Sequence, residues 1–389
     1  MMVIKALVRG LSWLLLASLL LALAVLWPRN NYLPAEALSF SAQRLSHGPI
    51  ITADNSPRLQ QLALEEGHIN INGPTIIRVP DWVANPLGTY YLYFSYHKGD
   101  FIRMAYADLP EGPWLIYEPG VLALQDSDFP VAKVPVLSVE AGLAELWAQS
   151  SIYIVRDSVL ATYKALVIDQ QARIDRGIAR SADKTAHIAS PELVIDDANQ
   201  RFLMFYHGQR DTLSQATRIA SSQDGLSFSN TDIVLNGVYL RHFDYRGQHY
   251  LLGSPGIIFR GDSIFGPYQP RGKSLFEPNI RHAAVMLEGD QLTVVWSRVG
   301  EAPEKILLSY IDLSSPDWDA WRATAGVELM RPRLPWEGAD LPLLPSLRGE
   351  LVSVANELRD PYLFVDRDGQ RYLLYVGAGE QAIGIATLE

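Results

Sequence analysis

The sequence predicts an all-β fold: a five-bladed β-propeller with a helical insertion between blades one and two and an N-terminal hydrophobic helix. Three observations predict it. First, a three-strand phrase recurs along the chain. One copy reads Asn72-Gly73-Pro74-Thr75-Ile76-Ile77, Gly88-Thr89-Tyr90-Tyr91-Leu92-Tyr93-Phe94, Phe101-Ile102-Arg103-Met104-Ala105-Tyr106-Ala107. A second begins Ser190-Pro191-Glu192-Leu193-Val194-Ile195, and a third begins Asp360-Pro361-Tyr362-Leu363-Phe364-Val365. Looser copies at 239–260 and 281–311 raise the number to five. Second, every copy splits runs of β-branched and aromatic residues with Gly, Asp or Asn turns. Third, Gly-Pro-aromatic follows the third strand of two units, as Gly112-Pro113-Trp114 and Gly266-Pro267-Tyr268. Such units bury their apolar faces only against each other, which arranges them around an axis.

Taken in order, residues 1–36 read as a membrane anchor or signal segment with a tether, and 37–389 as the propeller. Leu11 to Trp27 carries no charge over 17 residues and follows Lys5 and Arg9. That length lies between a signal-peptide core and a full membrane span. Ala22-Leu23-Ala24 fits a cleavage site, yet apolar residues continue to Trp27. Retained, the segment anchors the chain to the membrane through residues 11–27; cleaved, it leaves a secreted protein. Both readings place the rest on the extracytoplasmic side of the cell envelope.

Ala37 to Ile51 reads as extended chain. Blades one, two and five span about 68–118, 187–235 and 358–388. Blade five shows only three strands, so the segment at 38–52 is expected to add its outer strand and close the ring. Residues 120–186 interrupt the pattern. Ala141 to Arg176 is rich in helix formers at helical spacing, predicting a mainly helical insertion. It either covers the axial pocket, docks a protein partner or decorates the surface.

Composition narrows the function. Of 389 residues, 48% are hydrophobic, enough for a large core, and the net charge of −10 argues against nucleic acid as a partner. The chain has no cysteine, so disulfides and thiolate metal sites are excluded.

In a propeller the residues that open each innermost strand converge on the axis. Here they are His68, Asn70 and Asn72; His187, Ser190 and Glu192; Arg241 and His242; Arg281 and His282; Arg359 and Asp360. Two carboxylates on one cavity suffice for glycosidic hydrolysis, one protonating the leaving oxygen and one activating water or attacking. Glu192 and Asp360 are the candidates, with His187 and His282 assisting. Turn capping by Asp360 and ion pairing by Glu192 are the structural alternatives. Arg241, Arg281 and Arg359 suit a uronate or sulfated sugar, or else brace neighbouring blades. With His68, Asn70, Asn72, His242 and Arg298 they form the expected substrate-binding set. The histidines suit sugar hydroxyls, acid catalysis or an axial metal. No His-x-x-x-His spacing supports a metal, so no metal or cofactor is expected.

The phrases Pro-x-Ile-Ile with Gly-Thr-Tyr-Tyr-Leu-Tyr-Phe-Ser, and Arg-Asp-Pro-Tyr-Leu-Phe with Gly-Gln-Arg-Tyr-Leu-Leu-Tyr, resemble the five-bladed propellers of glycoside hydrolase family 43 and its relatives. The resemblance covers about 68–118 and 187–389. It implies carbohydrate as partner, an aspartate base before the blade-one proline, a second aspartate and a glutamate acid. This chain departs from that pattern. Gly73 precedes Pro74, Asp-Pro survives only as Asp360-Pro361, and Glu192 follows a proline. Two functions follow. One is an envelope-anchored glycoside hydrolase acting on an anionic or unusual sugar by carboxylate chemistry. The other is a non-catalytic propeller that binds a glycan or scaffolds a membrane protein complex.

Overall fold

The structure is a computed structural model that describes residues 32–37, 39–45, 48–67, 69–96, 99–131, 186–210, 215–351 and 353–389. Five four-stranded antiparallel sheets surround a common axis. Blade one holds β2 (Asn72–Arg78), β3 (Tyr90–Ser95), β4 (Phe101–Ala107) and β5 (Leu115–Ala123). Blade two holds β6 (Ile188–Asp196), β7 (Arg201–Gln209), β8 (Gln215–Ser222) and β9 (Ser229–Leu235). Blade three runs β10 (Val238–Tyr245), β11 (Gln248–Ser254), β12 (Ile257–Gly261) and β13 (Gln269–Pro270). Blade four runs β14 (Ile280–Glu288), β15 (Gln291–Arg298), β16 (Ile306–Asp312) and β17 (Val327–Met330). Blade five joins β18 (Arg359–Val365), β19 (Arg371–Gly377) and β20 (Ala382–Leu388) to β1 (Ala42–Arg44). The segment expected at 38–52 thus does supply the outer strand, pairing Ala42 with Leu388 and Arg44 with Ala386.

The second strand of each blade explains why these sequences are apolar without a break. Successive side chains point to opposite faces of a strand, and here both faces are interfaces. Tyr91 and Tyr93 pack toward blade two, whereas Leu92 and Phe94 pack toward blade five. Phe202, Met204 and Tyr206 face blade one, and Leu203 and Phe205 face blade three. Leu373 and Tyr375 face blade four, Leu374 and Val376 face blade one. Five apolar clusters result, one in each seam between neighbouring blades.

One α-helix, α1 (Pro57–Glu66), precedes blade one. Ser56 Oγ accepts from the Leu59 N–H at 3.2 Å, Pro57 occupies the first turn, and Gly67 ends the helix with φ 74°. Leu59 seats it over the seam between blades five and one.

Residues 11–27 and most of the predicted insertion, 132–185, lie outside the described residues. Among the described residues no helix is long and apolar enough to cross a membrane.

Candidate functional site

Each innermost strand opens with a β-bulge at the same place: between Asn72 and Thr75, Ala189 and Glu192, Val238 and Arg241, Ile280 and Ala283, and Arg359 and Tyr362. A bulge adds one residue and re-aims the side chains around it. The residue after the first bulged position is left-handed in four blades: Gly73 (φ 57°), Ser190 (50°), Tyr239 (54°) and Asp360 (47°). Only glycine adopts this conformation without cost, so the other three hold local strain at one level of the axis. At Gly73 an added Cβ would lie 3.0 Å from Ser190 Cα, so the neighbouring blade fills that space.

Below the bulge the axis is closed. Thr75, Glu192, Arg241, Ala283 and Tyr362 follow the bulge in the five blades, and Arg241 reaches the other four. Its Nη1 donates to Glu192 Oε2 at 2.7 Å, Pro191 O at 3.2 Å and Thr75 Oγ1 at 3.3 Å. Its Nε donates to Ala283 O at 3.1 Å, and the guanidinium lies 5.3 Å from the Tyr362 ring centroid. Glu192 Oε1 accepts the His242 N–H at 3.1 Å. Both oxygens of Glu192 are therefore engaged by donors. On the far side of this plug lies a cavity of about 440 Å³, lined among others by Glu192, Arg241, His242, Tyr362, Phe364 and Asp366.

At the bulge and above it lies a second polar assembly, to which the bulged residues Tyr239, His282 and Asp360 belong. His282 Nδ1 meets Asp360 Oδ1, and Asp360 Oδ2 accepts the Gly73 N–H at 3.2 Å. Tyr239 lies with its ring centroid 4.0 Å from that of His282 and 4.3 Å from that of His207. Burial pushes the Tyr239 hydroxyl up to about 12. His187 continues the row, 5.9 Å from His207, with its Nε2 3.4 Å from Gln215 Nε2. Asp360 does not line the lower cavity that Glu192 lines, so the two carboxylates expected to work as a pair occupy different levels.

The arginines are held by carboxylates. Arg281 binds Glu304 through two bonds of 2.7 and 2.9 Å and also donates to Leu347 O. Arg359 binds Glu357 at 2.6 Å and Glu380 at 3.1 Å. Glu380 also accepts from Asn70 at 2.6 Å; Asn72 donates to Asn70 Oδ1 and Ser95 to Asn72 Oδ1, each at 2.7 Å. Burial raises Glu304, but Arg281 and Arg359 outweigh it and hold this carboxyl below its usual range. Glu357 goes the other way: burial and the charge of Glu304 keep it raised despite Arg359. Arg298 lies toward the rim, 3.2 Å from Glu301 and 3.3 Å from Glu277. His68 lies outside the described residues. His242 sits below the plug on blade three, apart from the upper assembly.

Fold and site together define a five-bladed propeller with a sealed axis and a histidine-rich polar assembly above the seal. No family model matches the sequence. The chain is 30% identical over 348 residues to the uncharacterized protein R118 of Acanthamoeba polyphaga mimivirus, covering 83% of this chain and 85% of that one. It belongs to the family of that protein. Solved structures with partial similarity include a thermostable family-43 glycoside hydrolase, at 13% identity and a TM-score of 0.44 over 82% of this chain and 88% of that one. A GH43_1 enzyme from Xanthomonas citri has 11% identity and a TM-score of 0.48, covering 89% and 91%. An alpha-L-arabinofuranosidase from Lactobacillus brevis has 9% identity and a TM-score of 0.47, covering 81% and 90%.

Proposed function

We propose that this protein acts on carbohydrate at the upper end of the axis, with the imidazole of His282 as its acid/base group. The observation that carries this reading is the His282–Asp360 contact. A carboxylate on one ring nitrogen fixes the tautomer and the direction of the other, which is how an imidazole is prepared to move protons. The Gly73 N–H steadies the carboxylate from the neighbouring blade. Asp360 is thus a positioning residue and His282 the proton carrier. Tyr239, His207 and His187 supply a wall of rings and polar edges for a sugar. Carbohydrate as the substrate class rests on the sequence phrases shared with family 43, above all Asp360-Pro361.

This reading replaces Glu192 as acid, because Arg241 and the His242 N–H occupy its oxygens. It also favours a neutral sugar over an anionic one. Arg241, Arg281 and Arg359 are matched by Glu192, Glu304, Glu357 and Glu380. An envelope location with the propeller outside the cytoplasm rests on Lys5, Arg9 and the apolar run from Leu11 to Trp27.

A second reading, glycan binding without turnover, is favoured by Gly73. An aspartate there, as the family resemblance implies, would put its Cβ 3.0 Å from Ser190 Cα, so the neighbouring blade would have to give by a few tenths of an ångström. Purified full-length protein should be tested on chromogenic glycosides and a glycan array beside Asp360→Asn and His282→Gln. Turnover that falls by about 10²–10⁴ in both variants supports the acid/base role. Glycan binding without cleavage selects the second reading, and a chain that neither binds nor cleaves glycans overturns both.

A further inference from the structure

Blade three carries a group of side chains that the upper assembly does not use. Strands β10 and β11 form a hairpin around Arg246 and Gly247, whose φ values of 49° and 77° mark a two-residue turn matched to the twist of the strands. His242 and Asp244 alternate onto one face of β10, and His249 stands opposite Asp244 on β11. Three potential ligand atoms converge there. His249 Nδ1 is 2.6 Å from Asp244 Oδ1, His242 Nε2 is 3.1 Å from the same oxygen, and the two ring nitrogens are 3.3 Å apart. Among the described residues this is the one group of three such side chains close enough to share an ion.

We propose that His242, Asp244 and His249 bind a divalent first-row transition cation, with zinc the best fit. Two imidazoles and one carboxylate are the ligand set of open zinc sites, which keep a further position for water or a ligand. Bonds of about 2.0–2.1 Å imply donor–donor edges of about 3.3–3.4 Å in a tetrahedron. The His–His and His242–Asp244 edges are already close to that value. The Asp244 carboxylate must withdraw from His249 by about 0.7 Å to reach that edge, and its side chain, 62% exposed, leaves it room to do so. The His242 ring is fixed from behind, stacked on Phe205 at 6.3 Å and 17°, with its backbone N–H on Glu192. His242 also lines the lower cavity, so the cation sits at its edge, with the open position toward solvent on the Asp244 side.

The test uses full-length protein without an affinity tag, stripped with chelator and titrated with Zn²⁺ and with Co²⁺. Calorimetry is expected to show one equivalent bound, and cobalt to show visible ligand-field absorption. His249→Ala and Asp244→Ala should each weaken binding at least about tenfold while the metal-free circular dichroism stays that of wild type. Zinc should raise the melting temperature of wild type and not of the variants. No uptake by stripped wild type, or equal uptake by wild type and both variants, overturns the proposal.

Discussion

Arg241 and Glu192 seal the axis of the propeller: a 2.7 Å ion pair links blades three and two at a point where Arg241 also touches the other three blades. The pair is nearly solvent-free on both sides. Breaking it differs from replacing it, because removing one partner strands a buried charge.

Arg241→Met should therefore lower stability by about 3–5 kcal/mol, and Arg241→Met with Glu192→Leu should recover much of that loss. Urea unfolding of the two variants checks this; additive losses in the double variant would refute a buried-pair account.

Gly73→Ala is expected to cost at least about 1–2 kcal/mol, the penalty of the left-handed conformation, with the contact to Ser190 added to it. Gly73→Asp should be no more stable and should bring no gain in glycan turnover. A catalytically improved Gly73→Asp protein would show that blades one and two yield more readily than their packing implies.

Glu357 gives a dependence on pH. Its folded-state carboxyl titrates above the ordinary value, so its contribution to stability is complete below the unfolded pKa and is lost as pH rises through the folded one. The melting temperature of Glu357→Gln relative to wild type should therefore climb from acid toward neutral pH. A relative melting temperature that falls over that range would contradict the sign.

Arg44 fastens the closing strand. Its Nε and Nη2 donate to Glu337 at 2.6 and 2.8 Å, and Glu337 is fully buried. Arg44→Ala should cost about 1–3 kcal/mol, since Glu337 keeps Tyr375 and two backbone N–H groups as donors. Hydrogen exchange in β20 should quicken in this variant while that of β7 stays unchanged.

The architecture was legible because residues such as Tyr91 and Leu92 serve two seams at once, which leaves an unbroken apolar run with turns at regular intervals. The closing strand was legible from a blade that lacked one. Helix α1 escaped notice although Ser56-Pro57 and Gly67 mark its ends. The opening positions of the innermost strands were legible, yet the levels at which their side chains stand were hidden. Asp360 lies within the bulge of its blade and Glu192 just past that of its own, and a linear pattern does not show where a bulge turns the chain. The partners of the arginines were hidden for another reason. Glu304 and Glu380 lie 23 and 21 residues from Arg281 and Arg359 in connecting segments that have no periodicity of their own.

The junction of β1 with β20 also sets an order of events. Gln43 and Glu389, 346 positions apart, are neighbours beside it. A nascent chain can stack four blades as an open arc, but the last sheet waits for strands from both sides of the gap. Until they meet, blade one shows bare apolar surface where Leu374 and Ile385 will lie. At that strand three residue pairs, extended by backbone bonds from Ser41, Leu45, Ile50 and Ile51 to the same edge of β20, hold the ring shut, so the last contacts to form are the ones that keep the two ends of the described chain together.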